Sequence, residues 1–241
     1  MVGIFLTTYN FLDFTRQCVE SLRSYTDYPH KLVAIDNQSI DGTVPWLRSQ
    51  GIEVQENQSY VSLAKALNQG VAYYLNDPAV SHICWIENDL LFYPGWLENL
   101  MATLESHPEI GKLGSWHIEE DWPPEQAAAF MQEHRQYLRL GNAIPWVMPK
   151  WAISEVGLHD EEYIGSGEYE DWDYNNRLIS LGIPVMITKG SVVWHGRSAQ
   201  TRNLVDQPGW REQNLKRYES AWGQVHWGYR QPQLNRSKSL W

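Results

Sequence analysis

The sequence predicts a single-domain α/β protein with a mixed, mostly parallel sheet flanked by helices. Two observations carry this expectation. Across the first hundred residues, short apolar runs alternate with amphipathic segments, the rhythm of a parallel sheet with helices on both faces. The fourth run, Ile83-Cys84-Trp85-Ile86, leads directly into Glu87-Asn88-Asp89. That order puts two carboxylates at the carboxyl end of a buried strand, where open α/β sheets bind ligands.

The strands expected in the first half are Val2–Leu6, Lys31–Ile35, Ile52–Gln55 and His82–Ile86. Helices are expected between them at Asp13–Ser24, Thr43–Ser49 and Ser62–Leu75. Pro94, followed by Trp96, Leu97, Leu100, Met101 and Leu104 at helical spacing, reads as a helix with proline in its first turn. Beyond it the pattern is less regular. Lys112–Trp116 reads as a strand, Asp121-Trp122-Pro123-Pro124 as a rigid loop, and Glu125 to Arg135 as a helix. Ala143–Met148 reads as a strand and Lys150–Glu155 as a short helix. Glu168–Ser180 reads as a helix that stops at Gly182-Ile183-Pro184. Two short strands near Val185–Thr188 and Ser191–Trp194 and a last helix at Trp210–Trp222 complete the expectation. No internal repeat or long linker divides the chain. Residues 1–110 are expected to be a nucleotide-binding half and 111–241 a more variable half of one domain.

The totals narrow the function. At 241 residues the chain is long enough to bury its own core. Its net charge of -10 argues against a nucleic-acid binder, which neutralises phosphates with basic stripes. An anionic substrate would therefore need a local remedy: a metal, a helix N-terminus or a few placed cations. Cys18 and Cys84 lie in apolar segments, so a reducing compartment is expected rather than a disulfide framework. No stretch approaches the roughly 20 apolar residues that span a bilayer. Val2–Leu6 reads as a core strand and not as a leader, and a cytoplasmic location is expected. The tail from His226 to Trp241 mixes Arg230, Arg236 and Lys238 with Trp227, Tyr229 and Trp241. It is a candidate for weak contact with a membrane surface or an acceptor; an ordinary solvated tail has the same composition.

Several segments carry candidate chemistry. Thr7-Thr8-Tyr9-Asn10 follows the first strand, where hydroxyls can hydrogen-bond and a ring can stack on a base; a turn capped by Asn10 uses the same residues. Asp36 ends the second strand, where a carboxylate can accept from a base N–H or a ribose hydroxyl. Asp41-Gly42-Thr43 makes the following turn. Glu87 and Asp89 offer oxygen ligands that suit Mg²⁺ or Mn²⁺. Glu170, Asp171 and Asp173 fall in a first helical turn, where the macrodipole favours ionised carboxylates; acidic capping alone accounts for them equally. Asp173 and Arg177 are four apart, the spacing of a structural ion pair. Trp210, Asn214, Tyr218 and Trp222 form one helical stripe, for which core packing is the expected use.

Taken in order, these segments resemble the family 2 glycosyltransferases with the GT-A fold, a Rossmann-like architecture. The matching pieces are Thr-Tyr-Asn at 8–10, Asp-Asn-x-Ser-x-Asp-Gly-Thr at 36–43 and the acidic triplet at 87–89. They continue with Gly157-Leu158-His159-Asp160-Glu161, Glu170-Asp171-x-Asp173-x-x-x-Arg177, Trp194-His195, and Asn214-x-x-x-Tyr218-x-x-x-Trp222-Gly223. Residues 117–142 are the main gap. The chain departs from the family at Glu87, where Asp is usual, at Asn57-Gln58-Ser59, which lacks the usual Gly, and at His159, where Phe is usual.

The resemblance implies an inverting, metal-dependent hexosyltransferase. It would move a sugar from a nucleotide-diphosphate donor, expected to be a UDP-sugar, to the hydroxyl of a saccharide or lipid-linked acceptor, as in polysaccharide biosynthesis. It also implies roles for single residues. Thr7, Tyr9, Asp36 and Asn68 would bind the nucleotide, with Glu87 and Asn88 near its ribose and the metal. Asp89 and His195 would hold Mn²⁺ or Mg²⁺. Asp171 would be the catalytic base, with Glu170 beside it. The rival reading is a non-catalytic sugar or nucleotide-sugar binding protein on the same fold. A nucleotidyltransferase is disfavoured, because Thr-Thr-Tyr-Asn is not the glycine-rich, cationic loop that cradles a triphosphate.

Overall fold

A computed structural model describes residues 1–118, 120–196 and 208–223. The basic, aromatic segment from His226 onward lies outside these residues. The chain begins β1 (Val2–Thr8), α1 (Leu12–Tyr25), β2 (His30–Asp36), α2 (Thr43–Ser49), β3 (Glu53–Glu56), α3 (Leu63–Leu75), β4 (His82–Glu87), β5 (Leu90–Phe92) and α4 (Trp96–Ser106). It continues β6 (Lys112–Ile118), α5 (Pro124–Glu133), β7 (Leu138–Leu140), β8 (Trp146–Pro149), α6 (Lys150–Val156), α7 (Glu170–Ser180), β9 (Val185–His195) and α8 (Trp210–Trp222).

Among the described residues these strands form one sheet in the order β3-β2-β1-β4-β8-β6-β9-β5, with β7 pairing β9 from the side. β1, β2, β3 and β4 are mutually parallel, and β6 and β9 run the same way. β5, β7 and β8 run against them. The architecture is thus the mixed, mostly parallel α/β sheet that the sequence predicts. Every residue of β1 is buried, because helices cover both faces of the sheet and its two neighbours cover both edges. On one face, Ile4 and Leu6 pack with Leu22 of α1 and with Leu97 and Leu100 of α4. On the other, Phe5 packs with Leu67 and Val71 of α3 and with Trp146, Tyr174 and Leu178.

The structure adds two three-residue strands, β5 and β7, which the sequence pattern does not announce. It also merges Val185–Thr188 and Ser191–Trp194 into one strand. β6 pairs with both parts across a register shift at Ser115/Trp116, and Gly190 N–H turns back to Thr188 Oγ1 at 2.9 Å. The chain bulges there without leaving the sheet. Cys18 and Cys84 are both buried and free. No helix among the described residues is long and apolar enough to cross a membrane.

One close approach constrains the packing. A methyl group at Gly70 of α3 would overlap the ring of Phe5 on β1. Gly70→Ala is therefore expected to lose about 1–3 kcal/mol through overpacking, against a helix-propensity gain of about 1 kcal/mol. Urea denaturation should show a lower midpoint with an unchanged slope.

Candidate active site

Parallel pairing aligns the carboxyl ends of three strands. Thr7 lies beside Ile35 and Glu87, and Thr8 beside Asp36. Asp36 is almost fully buried. Thr8 donates its hydroxyl to Oδ1 at 2.8 Å and Ser39 N–H donates to Oδ2 at 2.8 Å, so the carboxylate has a fixed orientation. The Thr7 hydroxyl accepts the Trp85 indole N–H at 2.9 Å. Tyr9 is half-buried and meets Tyr60 edge-to-face at 5.2 Å between ring centres. Thr7, Tyr9 and Asp36 thus gather at one end of the sheet.

β4 ends at Glu87, and the turn through Asn88 and Asp89 enters β5. β5 pairs antiparallel with the end of β9, placing Leu90 opposite His195, and Gly196 N–H closes the junction on Asp89 C=O at 2.8 Å. This pairing brings together the three residues expected at the metal. His195 Nε2 lies 3.1 Å from Asp89 Oδ2 and 3.4 Å from Glu87 Oε2. One ligand atom from each of Glu87, Asp89 and His195 falls within 4.8 Å of the others. Burial opposes charge on His195, but hydrogen bonds and the charges of Asp89 and Glu87 outweigh it and lift its pKa to about 10. The two carboxylates thus favour a positive charge at this point, which a proton on His195 or a cation replacing that proton supplies. Two hard oxygens and one imidazole nitrogen are a donor set that fits Mn²⁺ or Mg²⁺, the nitrogen favouring Mn²⁺.

Beside this trio stands His117, which the sequence reading did not single out. Its ring meets that of His195 at 5.1 Å, and Nε2 contacts Ile144 C=O. Burial lowers its pKa, so it packs against His195 as a neutral ring. Nothing in the local sequence marks it, since its partner arrives from β9.

The opposite wall is the start of α7. The chain reaches it through Gly167, Glu168 and Tyr169, all with left-handed φ, a conformation that costs the two non-glycine residues energy. Asn214 of α8 holds this turn. It accepts from Ile164 N–H at 3.0 Å and donates to Ile164 C=O at 2.8 Å and Glu168 C=O at 3.3 Å, while Arg211 pairs with Glu168. α8 is therefore a clamp more than a core helix. Tyr218 meets Tyr169 and Trp172 at 5.7 and 5.9 Å, and Trp222 donates to Asp173 at 2.8 Å. Asp173 also receives Arg177 at 2.9 Å, the ion pair its spacing predicts.

Asp171 accepts from the Asn142 amide at 2.8 Å and from Trp172 N–H at 2.8 Å. Burial raises its pKa, opposed by the charge of Lys112 and by those hydrogen bonds. Burial raises Glu170 as well, reinforced by the charges of Asp171 and Glu87. The influence of Glu87 on Glu170 means that the start of α7 and the metal-type trio share one field. Burial pushes Glu170 up to about 8, while the charge of Lys112 and the hydrogen bonds of Asp171 hold back the rise at Asp171.

Two expected nucleotide residues are engaged inside the protein. Asn88 donates to Asn10 C=O at 3.1 Å and to Thr15 Oγ1 at 3.0 Å. Asn68 donates to His159 C=O at 3.0 Å and Glu161 Oε1 at 2.9 Å and accepts from His159 N–H at 2.8 Å, tying α3 to the segment after α6. His159 itself stacks on Tyr174 at 3.9 Å with its plane tilted only 9°. Burial, then Lys112 and Arg177, hold its pKa well below normal, so it serves as a neutral aromatic plate.

A mixed, mostly parallel sheet whose strand ends gather a carboxylate–histidine trio, near an acidic helix start, is the arrangement of the GT-A fold. The model of the family described as glycosyl transferase family 2 matches residues 3–149. That is more than half of the chain, and the chain belongs to this family. Similar folds include the mannosyltransferase PcManGT from Pyrobaculum calidifontis, solved in complex with GDP-Man and Mn²⁺. It has 15% identity, a TM-score of 0.64, and coverage of 84% of this chain and 59% of that one. GalNAc-T7, solved with UDP, GalNAc and Mn²⁺, has 12% identity, a TM-score of 0.64, and coverage of 81% and 43%. TarS of S. aureus has 14% identity, a TM-score of 0.58, and coverage of 82% and 37%. The chain thus spans less than two thirds of the length of each, and the likeness establishes the fold. No curated protein matches in sequence.

Asn68→Ala is expected to leave buried His159 main-chain groups unsatisfied, at a cost of about 1–3 kcal/mol, while nucleotide affinity stays within twofold. Thermal unfolding together with nucleotide titration checks both parts.

Proposed function

We propose that this protein is a metal-dependent, inverting glycosyltransferase. It would move a sugar from a nucleotide-diphosphate donor, with UDP-sugars the first candidates, to a hydroxyl of a saccharide or glycolipid acceptor. The observation that carries the reading is the convergence of Glu87, Asp89 and His195, with the charge of Glu87 felt at Glu170, beside Asp171 at the start of α7. Membership in the glycosyl transferase family 2 supports it, as do the Mn²⁺ and nucleotide ligands with which two structural relatives were solved.

In this mechanism Asp36 accepts from the base or ribose, and Tyr9 offers a ring face. Asp89 and His195, with Glu87, would hold a divalent ion, which when bound would supply Lewis-acid neutralisation of the charge growing on the leaving diphosphate. Asp171 accepts the proton of the acceptor hydroxyl. The acceptor oxygen forms its bond to the anomeric carbon from the side opposite the departing diphosphate, as the bond from that carbon to the phosphate oxygen breaks. A single displacement of this kind inverts the anomeric configuration. In the proposed division of labour, residues 1–110 bind the donor, and the rest of the chain supplies the base and receives the acceptor.

Asp171→Asn should reduce transfer by at least about 10³-fold, within the range a general base contributes, and leave the Kd for nucleotide nearly unchanged. Asp89→Ala should abolish the Mn²⁺-dependent part of nucleotide binding. Calorimetry with UDP, GDP, dTDP and CDP, with and without Mn²⁺, followed by a donor-turnover assay, tests the reading. Transfer at the normal rate by the Asp171→Asn variant would overturn the base. Binding of a nucleotide with no turnover of any donor would favour a non-catalytic binder. Because burial raises the Asp171 pKa above its ordinary value, kcat/KM should fall with acid at a midpoint above about 3.9, the usual value for Asp.

A further inference from the structure

Lys112 opens β6, a place where a lysine normally reaches water. Here it is 2% exposed. Its ammonium donates to Asn175 Oδ1 at 2.9 Å and lies 5.2 Å from the centre of the Trp146 ring and 5.8 Å from that of Tyr174. Among the described residues no carboxylate pairs with it. A buried, unpaired ammonium is costly, so a lysine kept at this depth needs either a use or a compensating field. Asn175 indicates where that field lies. It sits one helical turn after Asp171 on α7, so the two project from the same face of the helix. Lys112 is thus tied to the helix face that carries Asp171, and Asn142 holds the Asp171 carboxylate at 2.8 Å.

We propose that Lys112 is a positioning residue for sugar transfer, a buried cation that keeps the negative charge of the Glu170–Asp171 pair on Asp171. The proposal rests on the reading of Asp171 as the base. Two neighbouring carboxylates in a buried place do not both stay ionised without a counter-charge. The cation lies closer in effect to Asp171 than to Glu170, since Asp171 is the stronger of its two acidic influences. Glu170 faces the repulsion of Asp171 and of Glu87. The remaining titratable neighbours do not substitute for Lys112. His159 is neutral, Arg177 is paired with Asp173, and Tyr218 of α8 is a neutral phenol. The cation–π contacts with Trp146 and Tyr174 stabilise the charged form of Lys112 without adding a competing anion. Burial still draws its pKa down to about 8, so the cation persists at neutral pH.

The test is Lys112→Met, which keeps the length and fills the space. Protein carrying ¹³C-carboxyl aspartate, with the Asp171 signal assigned by its loss in Asp171→Asn, is titrated by NMR. The Asp171 ionisation constant should fall about tenfold or more in Lys112→Met. The acid limb of kcat/KM should move up in pH by the same factor, with the donor KM unchanged. A reciprocal measurement needs no change at Lys112: in Asp171→Asn, the labelled Lys112 side chain should lose its proton at lower pH than in the parent. An unmoved Asp171 titration in folded Lys112→Met, or an unmoved Lys112 titration in Asp171→Asn, would overturn the proposal. The titrations need no turnover. An inactive protein with coupled titrations would therefore sink the transferase reading and leave the electrostatic coupling standing.

Discussion

The pairing of β5 with the end of β9 is the interaction on which the site depends. Glu87 and Asp89 reach solvent because β4 ends there, but two carboxylates on a turn are only an acidic loop. β9 arrives from the other end of the sequence, and three residues of β5 are enough to set its register, with Leu90 opposite His195. That register places an imidazole nitrogen within 3.4 Å of both carboxylates. Because a one-residue slip would turn His195 to the opposite face of the sheet, the short strand acts as a gauge for the metal-type trio.

The rest of the molecule brings a second group of residues up to this trio. Burial on both faces of the sheet makes charge in the site expensive, and each charged group present has an identifiable partner. Asp36 has Thr8 and Ser39 N–H, His195 has two carboxylates, and Asp171 has Asn142 and the field of Lys112. α8 holds the left-handed turn before α7 through Asn214 and Arg211, so Asp171 sits on a helix whose entry is clamped. The same burial that raises the pKa of Asp171 makes it a better proton acceptor near neutral pH than an exposed aspartate.

Much of this was legible in the sequence, and the exceptions have physical causes. Thr43–Ser49 and Trp210–Trp222 are helices at the boundaries their patterns predict. The β-α-β-α order gave the sheet direction. β5 and β7 were not legible because three residues carry no periodicity. β9 read as two strands because Lys189-Gly190 interrupts its apolar run, whereas pairing to β6 carries the backbone across. In the site, Glu87 and Asp89 were readable from their place at the end of a strand, and His195 only through the family resemblance. Asn142, His117 and Lys112 were not, since each acquires its meaning from a partner distant in sequence. The polar face of α8 was misjudged for the same reason: a stripe of Asn, Tyr and Trp at helical spacing looks like core, but Asn214 and Trp222 are used through their hydrogen bonds.

The central claim is that Glu87, Asp89 and His195 form a single metal site. Pulsed electron paramagnetic resonance of Mn²⁺ added with UDP to ¹⁵N-histidine-labelled protein addresses it directly. The account predicts a bound Mn²⁺ ion coupled to one imidazole nitrogen, a coupling that disappears in His195→Gln while the labelled protein remains folded. Bound Mn²⁺ with no histidine coupling, or a coupling that survives His195→Gln, would contradict it.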